Sequence, residues 1–240
     1  MQSVASQTYP HIEYIIIDGA STDHTVEMIR ACPAVTKWIS EPDEGITDAF
    51  NKGLAQASGE WVGILNADDW YEPDTVTRIV EHAKEADVVH GAVRYWQGED
   101  PREVYYPCQE RLKQEMTINH PSVFIRRSAY SAEGGFDSKF HYAMDYELIL
   151  RYYIKGYRFK EIENTVLANM SYDGVSDRLW TKALYEVTQA KLLHLPSPAK
   201  TWIYYGWQLA RGYSRRICEK LGLTGFVHFV REHASPMRKS

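Results

Sequence analysis

The stretch Gly59–Glu60–Trp61–Val62–Gly63–Ile64–Leu65–Asn66–Ala67–Asp68–Asp69–Trp70–Tyr71 constrains this chain more than any other. Its first half, Trp61 to Leu65, is rich in β-branched and large apolar residues and follows Ser58–Gly59, the pattern of a strand buried on both faces. The run stops at Asn66, Asp68 and Asp69, and a helix is expected after Pro73. Open α/β sheets bind ligands in the crevice at the carboxyl ends of their strands. Two carboxylates there make a hard, oxygen-rich site suited to Mg²⁺ or Mn²⁺ holding a diphosphate. The same two residues also serve as turn formers that cap a following helix, and the stretch alone leaves both roles open.

The flanking segments repeat this alternation. His11 to Ile17 reads as a strand with Tyr14–Ile15–Ile16–Ile17 as its buried run, after a helical end at Met1 to Gln7. It closes in the polar turn Asp18–Gly19–Ala20–Ser21–Thr22–Asp23, and a helix follows from Thr25 to Arg30. Asp18 at that strand end is placed either to accept a hydrogen bond from a nucleotide base or to brace the turn. Lys37 to Ser40 is a short strand. The next helix carries Ile46, Ala49, Phe50, Leu54 and Ala57 on one stripe, and Asp48, Asn51 and Lys52 off it, the ordinary place of a solvated face. A helix from Asp74 to Glu85 and a strand from Asp87 to Val93 complete an order that predicts an α/β fold with a mainly parallel sheet.

The second half is less regular. Arg94 to Tyr106 reads as a polar excursion punctuated by Gly and Pro, and Ser122 to Arg126 as a strand after Asn119–His120–Pro121. Gly134–Gly135–Phe136–Asp137 is a tight turn, Met144 to Arg151 opens a helix that Gly156 ends, and Arg158 to Ala168 is extended. Ser171 to Ser176 is a loop, and from Asp177 the chain is helical apart from breaks at Pro196 and Pro198.

Charge narrows the partners. The net charge is −5, yet the segment from Lys200 onward carries +6, leaving −11 for the rest. An acidic body of that kind lacks the basic face that nucleic-acid phosphates require. The three cysteines, Cys32, Cys108 and Cys218, are widely spaced and point to a reducing, cytoplasmic compartment without a disulfide framework. Residues 198–240 mix this positive charge with Trp202, Tyr204, Tyr205, Trp207 and Tyr213, a composition suited to peripheral contact with the inner face of an anionic membrane or to packing on the main domain.

Four signatures in order, Ile16 to Asp23, Glu41 to Gly53, Gly59 to Tyr71, and Gly134–Gly135–Phe136–Asp137 with Met144–Asp145–Tyr146–Glu147, together resemble the inverting family-2 glycosyltransferases of GT-A fold. The resemblance covers residues 1–180 as a catalytic domain and leaves 181–240 as a helical C-terminal extension. It implies transfer of a sugar from a nucleotide-sugar donor, a UDP-sugar, to a hydroxyl of a glycan or lipid-linked acceptor in surface polysaccharide synthesis, with Mn²⁺ or Mg²⁺ as cofactor. By the same likeness Asp18, Asp48, Lys52, Asn66 and Ala67 meet the nucleotide, Asp68 is the principal metal ligand and Asp69 its support. Asn66 stands where the family's Asp-x-Asp motif usually has its first Asp, and brings no charge. Asp145 corresponds to the catalytic base, and its residue type also suits a helix N-cap. His120, Asp173 and Gly174 fall in segments that approach acceptor or donor in relatives, although a structural role suits His120 equally.

Family members normally begin with an apolar strand and helix leading to a segment like Gln7–Thr8–Tyr9–Pro10, whereas this sequence starts inside that helix. An upstream strand is therefore expected, and without it two neighbouring strands have free backbone edges and an opened core. Two other readings share these residues: a non-catalytic relative that binds nucleotide or glycan, and a nucleotidyltransferase, which calls for a glycine-rich basic phosphate loop not present in this sequence.

Overall fold

A short helix, Gln2–Ala5 (α1), precedes Tyr14–Asp18 (β1), and Thr25–Ala31 (α2) leads from β1 to its parallel partner Val35–Ser40 (β2). The computed structural model describes residues 1–171, 179–221 and 238–239. Ile46–Gln56 (α3) starts at Gly45, whose φ of 113° is one that glycine adopts freely. Phe50 and Leu54 of its stripe pack on the core. Trp61–Gly63 (β3), Trp70–Tyr71 (β4) and Thr75–His82 (α4), prolonged by a 3₁₀ turn, lead to Val88–Gln97 (β5) and Asp100–Tyr106 (β6). Phe124–Arg126 (β7), Arg127–Glu133 (α5), Met144–Ile154 (α6) and Phe159–Ser171 (β8) follow. Trp180–His194 (α7), Pro198–Lys220 (α8) and Arg238–Lys239 (β9) close the described chain.

The strands form two sheets. β1 and β2 stand as a parallel pair, and the other seven strands form a mixed sheet in the order β3-β7-β5-β6-β9, with β8 against β5 and β4. β8 runs parallel to β5, while β3–β7, β5–β7, β5–β6 and β4–β8 are antiparallel. Side chains alternate across the sheet. Val88 and Ile125 face α5 and α6, in a core with Leu112, Phe136, Tyr146, Leu148, Leu150 and Tyr152. Val89 and Phe124 point the other way, joining Ile79 of α4 with Tyr71, Ile162 and Leu167. The result is the expected α/β architecture with helices on both faces.

Two expectations are corrected. The run Trp61 to Leu65 is not a strand buried on both faces. Only Trp61–Gly63 pairs, on one edge, with Arg126, Ile125 and Phe124 of β7, and it is half-buried with Gly63 exposed. Its place next to β7 requires glycine at 63, since a Cβ there would lie 2.5 Å from the Phe124 ring. The segment Arg94 to Tyr106 is not a loop excursion. It is the end of β5 and all of β6, a hairpin turning at Gly98 (φ 62°) with Gln97 paired to Asp100. Glycine at the first of two turn residues matches the right-handed twist of the strands, and the β-favouring Val104–Tyr105–Tyr106 outweighs Pro101.

Among the described residues no ladder joins β1 to β3. Both line a single cavity of about 1650 Å³, together with α3 and the polar turns that end the two strands. The three cysteines are free. No helix among the described residues is long and apolar enough to cross a membrane.

Leu148 is fully buried at the centre of α6. Leu148→Ala is expected to cost about 2–5 kcal/mol of folding stability. Ile203→Ala, at a position 74% exposed on α8, is expected to change it by less than about 0.5 kcal/mol. Paired denaturant titrations check both.

Candidate active site

Each wall of the cavity delivers its polar residues by the end of an element. The carboxyl end of β1 supplies Asp18, and the turn after β3 supplies Asn66, Ala67, Asp68 and Asp69. The 3₁₀ turn before β7 supplies His120, and the first turn of α6 supplies Asp145. Asp48 and Lys52 are not among the residues lining it. They pair with each other at 3.0 Å on α3, and Lys52 also holds Glu41 and the carbonyl of Pro42. Asp173 and Gly174 lie outside the described residues.

The carboxylates have different surroundings. Asp18 is buried and accepts hydrogen bonds from the Ser21 hydroxyl, the Ser21 N–H (3.0 Å) and the Ser40 hydroxyl (2.6 Å). These donors hold its carboxyl below the usual aspartate range, led by the Ser21 hydroxyl. The Ala20 backbone N–H adds to these in the same direction. Asp68 is exposed to the cavity, whereas Asp69 beside it is 8% exposed. Burial, and secondly the charge of Asp68, push the Asp69 carboxyl up to about 7, against a 3.1 Å hydrogen bond from Asn66 Nδ2. The buried Tyr71 hydroxyl, close enough to feel the Asp69 charge, lines the same cavity without a hydrogen-bond partner.

The acidic turn is held from beneath. Asn169 on β8 is buried, accepts a hydrogen bond from Trp96 Nε1 at 2.7 Å, and donates to Glu72 at 3.1 Å. Glu72 also holds Arg94 at 2.9 Å. This chain of contacts, invisible in the local sequence, fixes β4 and the turn before it against β5 and β8.

The donors around Asp68 and Asp69 are oxygens, with the Asn66 amide beside them. No group of three or more His, Cys, Asp or Glu that would cage a metal occurs among the described residues. An exposed carboxylate beside one raised chiefly by burial and secondly by that neighbour's charge, plus an orphaned phenol, offers oxygen ligands that fit a hard divalent cation taking its remaining ligands from a bound diphosphate and water.

Asp145 and His120 meet on another part of the lining. His120 is buried, stacked on Phe50 at 5.5 Å and edge-on to Phe136 at 5.8 Å. Burial pushes the Asp145 carboxyl above its usual value and the His120 imidazole below its own, while each group's charge favours ionisation of the other. Asp145 Oδ1 accepts the Tyr146 N–H at 2.7 Å; the N-cap position of the helix is taken by Ala143, so Asp145 is not its cap. A carboxylate made more basic at the edge of a cavity is suited to receive a proton.

Sequence reasoning missed Tyr71 as an orphaned polar group and the neighbourhood of His120 and Asp145. Their separations in the chain leave no local pattern to read.

The sequence profile described as Glycosyl transferase family 2 matches residues 1–149. An uncharacterized glycosyltransferase of Mycobacterium tuberculosis is 34% identical over 160 residues, covering 63% of this chain and 61% of that protein. A PGL/p-HBAD biosynthesis glycosyltransferase of Mycobacterium bovis is 28% identical over 165 residues, covering 63% and 62%. The matches thus span about three fifths of the length of these relatives. Among solved structures, S. aureus TarS 1–349 in complex with UDP superimposes with a TM-score of 0.60 at 18% identity, covering 89% of this chain and 66% of that one. The mannosyltransferase PcManGT from Pyrobaculum calidifontis, in complex with GDP-Man and Mn²⁺, gives 0.57 at 18% identity, covering 89% and 70%. These two likenesses bear on the fold, and the profile match over more than half of the sequence on descent: the chain belongs to glycosyltransferase family 2.

Proposed function

We propose that this protein transfers a sugar, with inversion, from a nucleotide-sugar donor to a hydroxyl of a glycan or lipid-linked acceptor in polysaccharide or glycolipid synthesis. The observation that carries this reading is the sharing of one cavity by Asp18, the Asn66–Asp69 turn and Asp145. Asp18 and Asn66 meet the nucleoside, with Ala67 beside them. Asp68 and Asp69 hold a divalent cation, Mn²⁺ or Mg²⁺, which when bound offsets the charge developing on the departing diphosphate. Asp145 takes the proton of the acceptor hydroxyl as that oxygen bonds to the anomeric carbon and the bond to the diphosphate breaks. General-base assistance of this kind is worth ~10²–10⁴-fold in rate. A uridine donor is supported by the UDP bound to TarS, and Mn²⁺ by its presence with PcManGT. Residues 1–180 act as the transfer unit and 181–240 as a C-terminal extension, of which α7 packs on α6 and α8 on α7.

The acceptor reading extends to α8. Trp202, Ile203, Trp207, Tyr213 and Ile217 are exposed and fall on one arc of that helix, with Lys200, Arg211 and Arg215 along one flank. Basic residues beside exposed aromatics suit the headgroup layer of an anionic bilayer, where a lipid-linked acceptor resides. This supports the reading of a peripheral protein on the cytoplasmic face of the membrane.

Calorimetric titration of UDP, with and without Mn²⁺, tests the site. Metal-dependent binding that Asp68→Ala abolishes is expected, and binding indifferent to metal and to Asp68→Ala overturns the assignment. Asp145→Asn is expected to lower transfer by ~10²-fold or more with donor affinity intact; full residual activity would remove its role. Vesicles containing anionic lipid are expected to sediment the protein at low salt, less so after Ile203→Asp with Trp207→Asp, and equal sedimentation refutes the membrane contact.

Asp69 gives a readout independent of turnover. A carboxyl raised from 3.8 to about 7 binds a proton in the folded state that the unfolded state has released. Its contribution to stability is therefore lost as pH rises from about 4 to 7. Asp69→Asn is expected to raise the unfolding free energy at pH 8 by on the order of 1–4 kcal/mol without added metal, and to leave it nearly unchanged at pH 4. Equal shifts at the two values count against the raised carboxyl.

A further inference from the structure

The loop that carries Asp145 is gripped from outside the family-matched segment. One oxygen of Glu186, on α7, accepts hydrogen bonds from three successive backbone amides: His141 at 2.9 Å, Tyr142 at 2.6 Å and Ala143 at 2.9 Å. Ala143 is the N-cap of α6, and Asp145 lies in the first turn after it. The other side of the loop is pinned by α3, where the buried Thr47 hydroxyl donates to the Phe140 carbonyl at 2.7 Å. Lys182, one turn before Glu186 on α7, lies over the Tyr142 ring at 5.8 Å. Residues 140–143 are thus fixed by a hydroxyl at one end and a carboxylate on the rest. Three charge-assisted bonds to consecutive N–H groups leave those groups almost no freedom to reorient.

We propose that Glu186 is a positioning residue for Asp145, holding the 141–143 amides so that the candidate base stands at a fixed place in the cavity while adding a negative charge behind it. The proposal rests on the assignment of Asp145 as the base. Several charged or titratable groups surround Asp145. His120 faces it from the turn before β7, Glu186 and Lys182 approach from α7, and His141 lies in its own loop. Asp68 and Asp69 share the cavity, and Glu147, one turn along α6, is engaged by Arg151 and His194. Of these, His120 favours the ionised carboxylate and Glu186 opposes it. Removing the Glu186 charge therefore leaves Asp145 less basic, so a base that works only when ionised becomes competent at lower pH but weaker at its plateau.

Aspartate carboxyl ¹³C resonances followed against pH test this without turnover, the Asp145 signal being the one lost in Asp145→Asn. In Glu186→Gln, which keeps size and one acceptor oxygen, Asp145 is expected to titrate about half a pH unit lower than in the wild type. Amide exchange at 141–143 is expected to accelerate. With UDP-sugar turnover as readout, the acidic limb moves the same way and kcat falls ~10-fold while the donor KM stays within about twofold. A merely structural Glu186 lowers kcat without moving the limb, and that result overturns the proposal. An unchanged Asp145 titration in Glu186→Gln also overturns it, leaving the base assignment intact. Turnover retained by Asp145→Asn removes the base assignment, and this inference with it.

Discussion

Burial of α6 on nearly every side is the constraint on which the structure depends. Tyr146, Leu148, Ile149, Leu150 and Tyr152 are all essentially inaccessible, so the helix needs partners all round. β5 and β7 cover it on the sheet side, α5 lies beside it, and α7 closes over it. A helix so enclosed has little tolerance for an unpaired charge. Glu147 is 3% exposed and is matched by Arg151 at 3.1 Å and His194 of α7 at 2.7 Å. Arg151 in turn donates to the carbonyls of Glu133 and Gly135 at 2.6 Å, joining the end of α5 to the Gly134–Gly135 turn. The position of the helix that carries Asp145 is therefore over-determined by contacts from four directions.

That rigidity lets four carboxylates of similar intrinsic acidity do different things. Asp18, bonded to two serine hydroxyls and an amide, is held ionised. Asp69, enclosed and next to another acid, holds its proton near neutrality. Asp68 remains open to the cavity, and Asp145 is made more basic by burial while His120 restrains the change. Hydrogen-bond donors, crowding and depth, and not residue type, set the behaviour of each.

Much of this was legible from the sequence. The Tyr14–Ile17 run, the stripe of α3, the turns at Asp18 and at Gly134, and the break between α7 and α8 at Pro196 and Pro198 all carry local signals that tertiary contacts left in place. The resemblance added roles for Asp18, Asn66, Asp68 and Asp145 that periodicity alone leaves open, and the cavity brings these four together. What escaped has a common cause. The β5–β6 hairpin was hidden because its polar outer residues mask the alternation of Val93, Tyr95, Val104 and Tyr106. Trp61 to Leu65 was overread because apolar content does not say whether both edges find a partner. Glu186 has no local signature, since its partners lie more than forty residues earlier in the chain.

The β1–β2 and β5–β8 ladders differ in how much chain each must close. Tyr14 pairs with Val35, so that ladder closes a loop of about twenty residues. The parallel pairing of Val88 with Phe159 closes one of about seventy, which costs roughly 1 kcal/mol more in chain entropy before any contact repays it. The small sheet is a local structure and the large one a long-range structure. Of the two ladders that line the cavity, the long-range one therefore carries the greater closure cost.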